Sequence, residues 1–298
     1  MARKHILHMI TPLKHMSPFD VNMALDAGFD AVVPYVGVGL DEVTGLVQDA
    51  IFSRPPDAGV DTGVFIAGKD VSLALDMFDA AKKAMVPPFQ ISVFADPAGS
   101  FTTAAAMVAK VEKALEKKFE RGLKDTDIAI FGATGVVGFC TAVIAAKEGA
   151  KVTIVGHDGL ERVGKVAAEM KSRFGVTVQP ADGSTEAKKT ALAEAAEVIL
   201  TAAKAGVQVI SKAQLAKAGK LLIAADVNAV PPAGVEGLGV HANGEPIDGG
   251  KALGIGPLAI GNVKYKVESG LFKKMIEAEK TVTFDFQDAF SLARELAK

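Results

Sequence analysis

The residues best suited to chemistry in this chain are three glycines, Gly132, Gly135 and Gly138, which follow an apolar stretch at 128–131 and precede a helical pattern. Glycine lets the backbone bend sharply and approach an anion, and a helix that begins near Gly135 directs its free N–H groups toward that anion. With a second apolar stretch at 152–155, the segment is typical of a dinucleotide-binding unit. The spacing is G-x-x-G-x-x-G instead of G-x-G-x-x-G, and the alternative is a tight turn that needs small residues for packing.

The turn after the second strand decides which dinucleotide fits. An acid at this place binds the 2′-hydroxyl of the NAD ribose, whereas a cation accommodates the 2′-phosphate of NADP. Asp158 favours NAD, while His157 and Arg162 favour NADP. We therefore expect both NAD and NADP to be used. The alternative role for Asp158 is an N-cap of the next helix.

The two tyrosines argue against a short-chain dehydrogenase, whose spacing of glycines is similar. That chemistry usually requires a Tyr with a Lys four positions later. Tyr35 is followed at that offset by Gly39, and Tyr265 by Ser269. The dinucleotide unit is also internal to the chain, which further weakens that assignment.

Metal and disulfide chemistry are not expected. His5 and His8 lie three apart in a predicted strand and so point to opposite faces, which prevents them from sharing a metal with His15. Cys140 is the single cysteine, so no internal disulfide forms, as is typical of a reducing cytoplasm. Its helical position predicts that Cys140 is packed in the core.

Two loop-to-helix segments carry polar residues with an ordinary structural role. Ser17, Pro18 and Asp20 have the spacing of an N-cap, a first helical residue and a capping-box acid. The segment 96–103 also enters a helix, with Ser100 or a threonine as the expected cap. Because this second segment follows an apolar strand, it lies at the carboxyl edge of a sheet, where open α/β folds bind ligands.

Composition excludes several classes of protein. The chain has 298 residues, 49% of them hydrophobic and 23% charged, which is ordinary globular usage and favours two domains. The net charge of −2 does not indicate the excess of basic residues that is typical of nucleic-acid-binding proteins, so we do not expect nucleic acid as a partner. No apolar run has the length of a membrane span, and the N-terminus lacks the pattern of a signal peptide. We expect a cytoplasmic protein.

Alternating apolar strands and helical patterns predict an α/β fold with two doubly wound parallel sheets. The expected strands of the first half lie at 5–10, 31–35, 63–67 and 89–95, with helices at 21–27, 43–51, 71–84 and 100–119. The expected strands of the second half lie at 128–131, 152–155, 176–179, 198–202 and 221–226. A proline-rich loop at 227–234, a glycine-rich segment at 249–256 and helices at 258–278 and 286–296 follow.

Domain boundaries follow from this order and from the charged turn at 120–127. Residues 1–120 and about 279–298 are expected to form an N-terminal α/β domain for the substrate, with the last helix returning to it. Residues 121–278 are expected to form a Rossmann-like domain for NAD(P).

Four segments, at 8–20, 94–103, 226–232 and 254–264, together resemble the NAD(P)-dependent methylene-tetrahydromethanopterin dehydrogenases of methylotrophic bacteria. The resemblance spans essentially the whole chain and is closest to the form that accepts both NAD and NADP. Strictly NADP-dependent relatives carry Arg at the position of His157, so this departure supports use of both cofactors.

The resemblance implies oxidation of the methylene carbon between two pterin nitrogens to a methenyl cation, with hydride passing to NAD(P)⁺, in the one-carbon pathway of formaldehyde oxidation. It also implies a cofactor in the cleft between the domains and a homotrimer. Its catalytic positions correspond here to Asp20, Thr103 and Lys264, and we expect Asp96, Ser100 and Thr102 to bind the reduced pterin. The expected cofactor contacts are Gly132, Thr134, Gly135, Val136, Val137, His157, Asp158, Arg162, Ala202, Asp226, Asn228 and Gly256.

The chemistry constrains the role of Lys264, which from its spacing alone is a solvated helix lysine. Nitrogen lone pairs expel the hydride, so no general base is needed and positioning in a dry site dominates. An unpaired ammonium about 4 Å from the cationic product would cost about 4 kcal/mol at an effective dielectric of 20. We therefore hypothesise that Lys264 bonds a pterin oxygen away from the reacting carbon, or is paired with an acid such as Asp20.

Two other functions are open to this sequence. A methylene-tetrahydrofolate dehydrogenase with cyclohydrolase activity has a similar domain plan but uses a Tyr and a Lys in its first domain, and Tyr35 has no Lys near it. A non-catalytic NAD(P)-sensing module would bind cofactor without turning over a pterin.

Overall fold

The computed structural model describes residues 3–297, and the chain divides into two compact units. The first unit contains the residues up to Thr102 and Tyr265–Leu292. The second contains Thr103–Lys264 and the residues from Ala293 onward. Within 3–297, no helix has both the length and the apolar character to cross a membrane.

The first unit is built on a five-stranded sheet whose strands all run parallel, in the order β12-β4-β3-β1-β2. Its strands, numbered in chain order, are β1 (Ile6–Thr11), β2 (Ala31–Val36), β3 (Thr62–Ile66), β4 (Ser92–Ala95) and β12 (Thr283–Phe284). The helices that connect them are α1 (Pro18–Ala27), α2 (Val43–Phe52) and α3 (Val71–Lys83). The helix α4 (Ser100–Phe119) follows β4, and from Thr103 onward it belongs to the second unit.

The core of this unit lies around the central strands of the sheet. Strands β3 and β4 are buried along their full length, as expected for strands covered on both faces by helices. Phe65 and Phe94 lie with ring centroids 5.3 Å apart, and Phe272 packs on both of them. Aromatic packing of this kind stabilises the centre of the sheet beyond the burial of its area.

The second unit is built on a seven-stranded sheet in the order β10-β11-β9-β8-β5-β6-β7. Its strands are β5 (Asp127–Phe131), β6 (Lys151–Gly156), β7 (Gln179–Asp182), β8 (Val198–Thr201), β9 (Ile223–Asp226), β10 (Asn243–Pro246) and β11 (Leu253–Ile255). Its helices include α5 (Val136–Lys147), α6 (Leu160–Phe174), α7 (Glu186–Ala195) and α8 (Lys212–Lys217). Two further helices are divided between the units: the start of α9 (Pro257–Glu277) and the end of α10 (Phe286–Leu296) belong to the second unit, and residues 265–277 and 286–292 belong to the first.

The two predicted α/β sheets are confirmed, with two corrections. The strand predicted at 176–179 is wrong, because β7 pairs Gln179–Asp182 with the end of β6. Val176 and Val178 are buried, but they belong to the approach to the strand after the left-handed Gly175 that ends α6. The second sheet is also not wholly parallel, since β10 runs antiparallel to β11 at its edge.

The order of the second sheet also fixes where a ligand can bind. From β5 the chain moves outward through β6 to β7 and then returns to place β8 on the opposite side of β5. The connections therefore diverge at the carboxyl ends of β5 and β8. Open α/β sheets bind ligands in the crevice at this point.

Candidate cofactor-binding site

The glycine turn between β5 and α5 has two glycines that the chain itself requires. Gly132 has φ +89°, and a Cβ there would lie 2.4 Å from the backbone oxygen of Ala202. A Cβ at Gly138 would lie 2.4 Å from the oxygen of Gly132. Both positions need glycine for packing of the turn against β8 and α5.

The middle glycine has a different status. Gly135 is the N-cap of α5, has an ordinary φ of −96° and is exposed. A Cβ there would meet only the oxygen of Gly132, at 3.5 Å, which is normal contact. The packing of the described residues therefore does not explain this glycine, which leaves the N-terminus of α5 open to an approaching anion.

A cavity of about 650 Å³ opens beside this turn, within the size range of cofactor sites. Six of the twelve predicted cofactor contacts line it: Gly132, Thr134, Gly135, His157, Arg162 and Ala202. The other six lie outside the lining: Val136, Val137, Asp158, Asp226, Asn228 and Gly256.

The turn that was predicted to recognise the ribose directly follows β6. Arg162 Nη1 lies 3.6 Å from Asp158 Oδ2, one helical turn apart, and both side chains are largely exposed. The N-cap of α6 is Gly159, so the alternative role of Asp158 as that cap is wrong. An exposed pair of this kind adds little to stability, and either charge is able to turn toward a ribose or its phosphate.

Five polar residues of the cavity were missed by sequence reasoning: Ser184, Glu186, Lys189, Lys204 and Gln208. Lys189 Nζ lies 2.5 Å from Glu186 Oε1 and donates to the backbone oxygen of Val209 at 3.2 Å. Because the strand before Ser184 was predicted three residues too early, the loop that follows it was not recognised as part of the carboxyl edge.

Asp226 organises the loop that follows β9. Its buried carboxylate accepts hydrogen bonds from Thr201 Oγ1 at 2.8 Å, from the Gly234 N–H at 2.7 Å and from the Asn228 N–H at 3.1 Å. The side chain of Asn228 in turn accepts from the N–H of Val230 at 2.9 Å. Asp226 and Asn228 thus hold the predicted loop at 227–234 against the end of β8.

Replacing Asp226 by alanine should destabilise the protein strongly. The buried N–H groups of Gly234 and Asn228 would lose their acceptor, and the Thr201 hydroxyl would keep only its 3.3 Å bond to the Ala225 oxygen. We expect the free energy of unfolding to fall by about 3–5 kcal/mol, measured by urea unfolding. Asp226→Asn keeps one acceptor oxygen and should lose about half as much. Equal stability of Asp226→Ala and the wild type would contradict this role.

On the first unit, Asp96 replaces the predicted cap. Its buried carboxylate accepts from the N–H groups of Phe101 at 2.7 Å and Thr102 at 3.2 Å, and from the Thr102 hydroxyl at 2.6 Å. The expectation that Ser100 or a threonine caps this helix is therefore wrong, because a carboxylate accepts several N–H groups at once. Ser100 is the first residue of α4 and is half-buried.

The predicted catalytic positions differ in burial. Asp20 is buried in the first turn of α1, where its N–H donates to the Ser17 hydroxyl at 3.4 Å, which confirms Ser17 as the N-cap. Thr103 in α4 and Lys264 in α9 are half-buried. Cys140 is buried, as predicted. Within 3–297, no group of three or more His, Cys, Asp or Glu is placed to hold a metal ion.

Two α/β units and a glycine turn that opens on a cofactor-sized cavity are typical of proteins with a Rossmann-like dinucleotide-binding fold. Solved structures agree on the fold: 5-ketofructose reductase of Gluconobacter sp. strain CHM43 is 16% identical over 99% of both chains, with a TM-score of 0.53. Shikimate 5-dehydrogenase from Listeria monocytogenes, solved with shikimate and NAD, is 15% identical over 91% of both chains, with a TM-score of 0.52.

The sequence comparisons show the family. Residues 18–98 match the family "Methylene-tetrahydromethanopterin dehydrogenase, N-terminal". The NAD(P)-dependent methylenetetrahydromethanopterin dehydrogenase of Methylorubrum extorquens strain AM1 is 57% identical over 298 residues, which covers 100% of both chains. The chain belongs to the NAD(P)-dependent methylenetetrahydromethanopterin dehydrogenases.

Proposed function

We propose that this enzyme oxidises the methylene carbon of methylene-tetrahydromethanopterin to the methenyl cation and transfers the hydride to NAD(P)⁺. The observation that carries the proposal is the identity of 57% to an NAD(P)-dependent methylenetetrahydromethanopterin dehydrogenase along the entire chain. The cavity at the glycine turn supports it, because its size and position suit a dinucleotide.

The cofactor would be held by the turn between β5 and α5. Gly135 allows the pyrophosphate to approach the N-terminus of α5, and Gly132 gives the turn its shape. Asp158 and Arg162 would bind the ribose and its phosphate. When bound, the nicotinamide supplies the hydride acceptor. We propose that Val136, Val137 and Gly256 shape the cofactor site, and that Asp226 and Asn228 position its loop.

The pterin contacts are proposed for Asp20, Thr103 and Lys264. The reaction needs no general base, so these residues bind and orient the reduced pterin and keep water away from the reacting carbon. Lys264 bonds a pterin oxygen away from that carbon or is paired with an acid such as Asp20. Asp96, Ser100 and Thr102 form the turn that presents Thr103, so we infer that they support pterin binding through the shape of this turn.

Use of both cofactors should depend on the pair formed by Asp158 and Arg162. Arg162→Ala removes a cation suited to the 2′-phosphate, and we expect KM for NADP to rise about tenfold, with KM for NAD nearly unchanged. Asp158→Ala should raise KM for NAD instead. Lys165→Ala, on the same helix but outside the cavity lining, is the matched control. Equal effects of Arg162→Ala on both cofactors would contradict this assignment.

Turnover with four combinations of substrates tests the function. NAD(P)H absorbance is followed with methylene-tetrahydromethanopterin and methylene-tetrahydrofolate, each with NAD and with NADP, and hydrolysis of the methenyl product is assayed in parallel. We expect turnover of the methanopterin substrate with both cofactors and no hydrolysis. Preference for the folate with hydrolysis would favour a folate dehydrogenase and cyclohydrolase. Cofactor binding without any turnover would favour a sensing module.

Assembly, location and domain roles are part of the same proposal. We propose a cytoplasmic homotrimer in which residues 1–120 and 279–298 bind the pterin and residues 121–278 bind NAD(P). The support is the resemblance along the whole chain. Light scattering of the purified protein should give three times the mass of one chain, and a monomer mass would contradict the trimer.

A further inference from the structure

A second, smaller cavity lies in the second unit, away from the cofactor site. Four lysines of α4 line it: Lys110, Lys113, Lys117 and Lys118. Its other side is formed by Asn243 and Gly244 of β10 and by Ile255 of β11. The volume is about 130 Å³, and none of its lining residues lines the cofactor cavity.

Of these four lysines, Lys113 alone forms an ion pair among residues 3–297. Glu116 pairs with Lys113 at 2.8 Å. Glu112 accepts two hydrogen bonds from Arg294, each 2.6 Å long. Among the ion pairs formed by residues 3–297, none involves Lys110, Lys117 or Lys118. Three ammonium groups therefore share one small cavity without a salt-bridge partner.

Lys110 is the most constrained of the three. It is half-buried, and burial lowers the pKa of its ammonium, with repulsion from Lys117 acting in the same direction. Attraction from the Glu245 carboxylate, which also accepts a hydrogen bond from the Asn243 N–H, acts in the opposite direction and is the smallest of the three effects on this pKa. A cation partly removed from water without a salt bridge is unfavourable, and an anion bound beside it would offset that cost.

We propose that this cavity binds the phosphate or carboxylate group of a small anionic ligand. The volume suits one such group and is well below that of a nucleotide site. Gly244 has φ +104° and no atom within 4 Å of the position of a Cβ. No side chain therefore covers the backbone of Gly244, which lines the cavity together with the lysines. Lysine ammonium groups and backbone N–H groups are the usual ligands of phosphate and carboxylate.

The anion has two chemical sources, a free metabolite or the charged end of a larger ligand such as the pterin. Residues 104–109 of α4, which separate Thr103 from Lys110, are all buried. This stretch gives a ligand at Thr103 no open path along α4, which favours the free anion. Because Ile255 lines the cavity and directly precedes Gly256 and α9, the bound anion stabilises the junction between β11 and α9.

The test measures the melting temperature of the enzyme with saturating NAD⁺ as phosphate is added, because NAD⁺ keeps phosphate out of the glycine turn. Potassium chloride of the same ionic strength gives the baseline. The wild type should gain about 2–4 °C at a phosphate concentration ten times the Kd. The double variant Lys110→Gln/Lys117→Gln and the exposed reversal Lys117→Glu should lose this gain. Lys273→Gln/Lys274→Gln, two exposed lysines of α9, is the matched control and should keep it.

The outcomes distinguish a free anion from a charged group of the pterin, and they do not depend on whether the enzyme turns over the pterin. For a free anion, KM for the pterin is the same in the wild type and the double variant; for a pterin group, phosphate competes with the pterin and KM rises about tenfold in the variant. No phosphate-dependent gain in the wild type, or the same gain in all variants, overturns the proposal. Absence of pterin turnover would not affect this result, because the melting temperature is read without substrate.

Discussion

Replacing Lys264 by methionine should lower kcat/KM for methylene-tetrahydromethanopterin by about 10- to 100-fold. Methionine has a similar length but neither charge nor donor, so the bond to a pterin oxygen is lost while the side-chain volume is kept. A hydrogen bond made by a charged group contributes about 1.5–3 kcal/mol, which gives the expected range. The measurement is steady-state turnover at several pterin concentrations with saturating NAD⁺.

Lys266→Met is the matched control for this experiment. Lys266 lies two residues further along α9 and is exposed, whereas Lys264 is half-buried. The control should keep wild-type kcat and KM. If Lys264→Met also keeps both constants, the role assigned to Lys264 is wrong. If Asp20→Asn alters kcat/KM by the same factor as Lys264→Met, and the double variant loses no more, the two side chains act as a pair.

Replacing Gly135 by alanine should raise the Kd for NAD⁺ by about 10- to 100-fold while the protein stays folded. The added Cβ meets only normal contacts within the chain, and the backbone conformation is ordinary. It does occupy the space through which a pyrophosphate approaches the helix N-terminus. Isothermal titration with NAD⁺ gives the Kd, and thermal unfolding without cofactor gives the stability.

Two further glycines separate cofactor binding from folding. Gly132→Ala should lose about 3 kcal/mol of stability or more, because its Cβ meets backbone at 2.4 Å and φ is +89°. Gly164→Ala, in α6 and with no atom near its Cβ, should bind NAD⁺ normally. An unchanged Kd in Gly135→Ala would show that this turn does not hold the pyrophosphate.

Several elements were predictable from the sequence because local and tertiary signals agree. The helices α4 and α10 begin and end at the predicted residues, since their apolar faces have a clear helical period. The strands β5 and β8 were also found, because buried parallel strands are continuous apolar runs bounded by turns. The same signal located the glycine turn and hence the cofactor cavity.

Other elements depend on pairing across the sheet, which no local pattern reveals. The strand β7 is Gln179–Asp182, whose residues are mostly polar or proline, and its register is set by β6 and not by its own sequence. The antiparallel strand β10 has the sequence NGEP and a bulge, neither of which signals a strand. Asp96 caps α4 because the short 3-10 helix that follows it, Pro97–Gly99, places its carboxylate within hydrogen-bonding distance of the first N–H groups of α4.

Some residues of the candidate site were likewise predictable from the sequence, and others were not. The place of His157 and Arg162 in the cavity lining was predictable because they follow a predicted strand at a known place in the fold. Ser184 and Lys204 reach the cavity from the loops after β7 and β8, and Lys189 reaches it from α7, whose position depends on β7. The pterin residues Asp20, Thr103 and Lys264 rest on the resemblance to the family, since their spacing alone indicates a cap, a helix residue and a solvated lysine.

The most direct test of the central claim follows the hydrogen itself. Methylene-tetrahydromethanopterin that carries two deuterium atoms on its methylene carbon is oxidised with unlabelled NAD⁺ or NADP⁺ in ordinary water, and the reduced cofactor is analysed by mass spectrometry. Direct hydride transfer predicts one deuterium atom per reduced nicotinamide and a methenyl product that retains the other. Reduced cofactor without deuterium, or no reduced cofactor at all, would contradict the account.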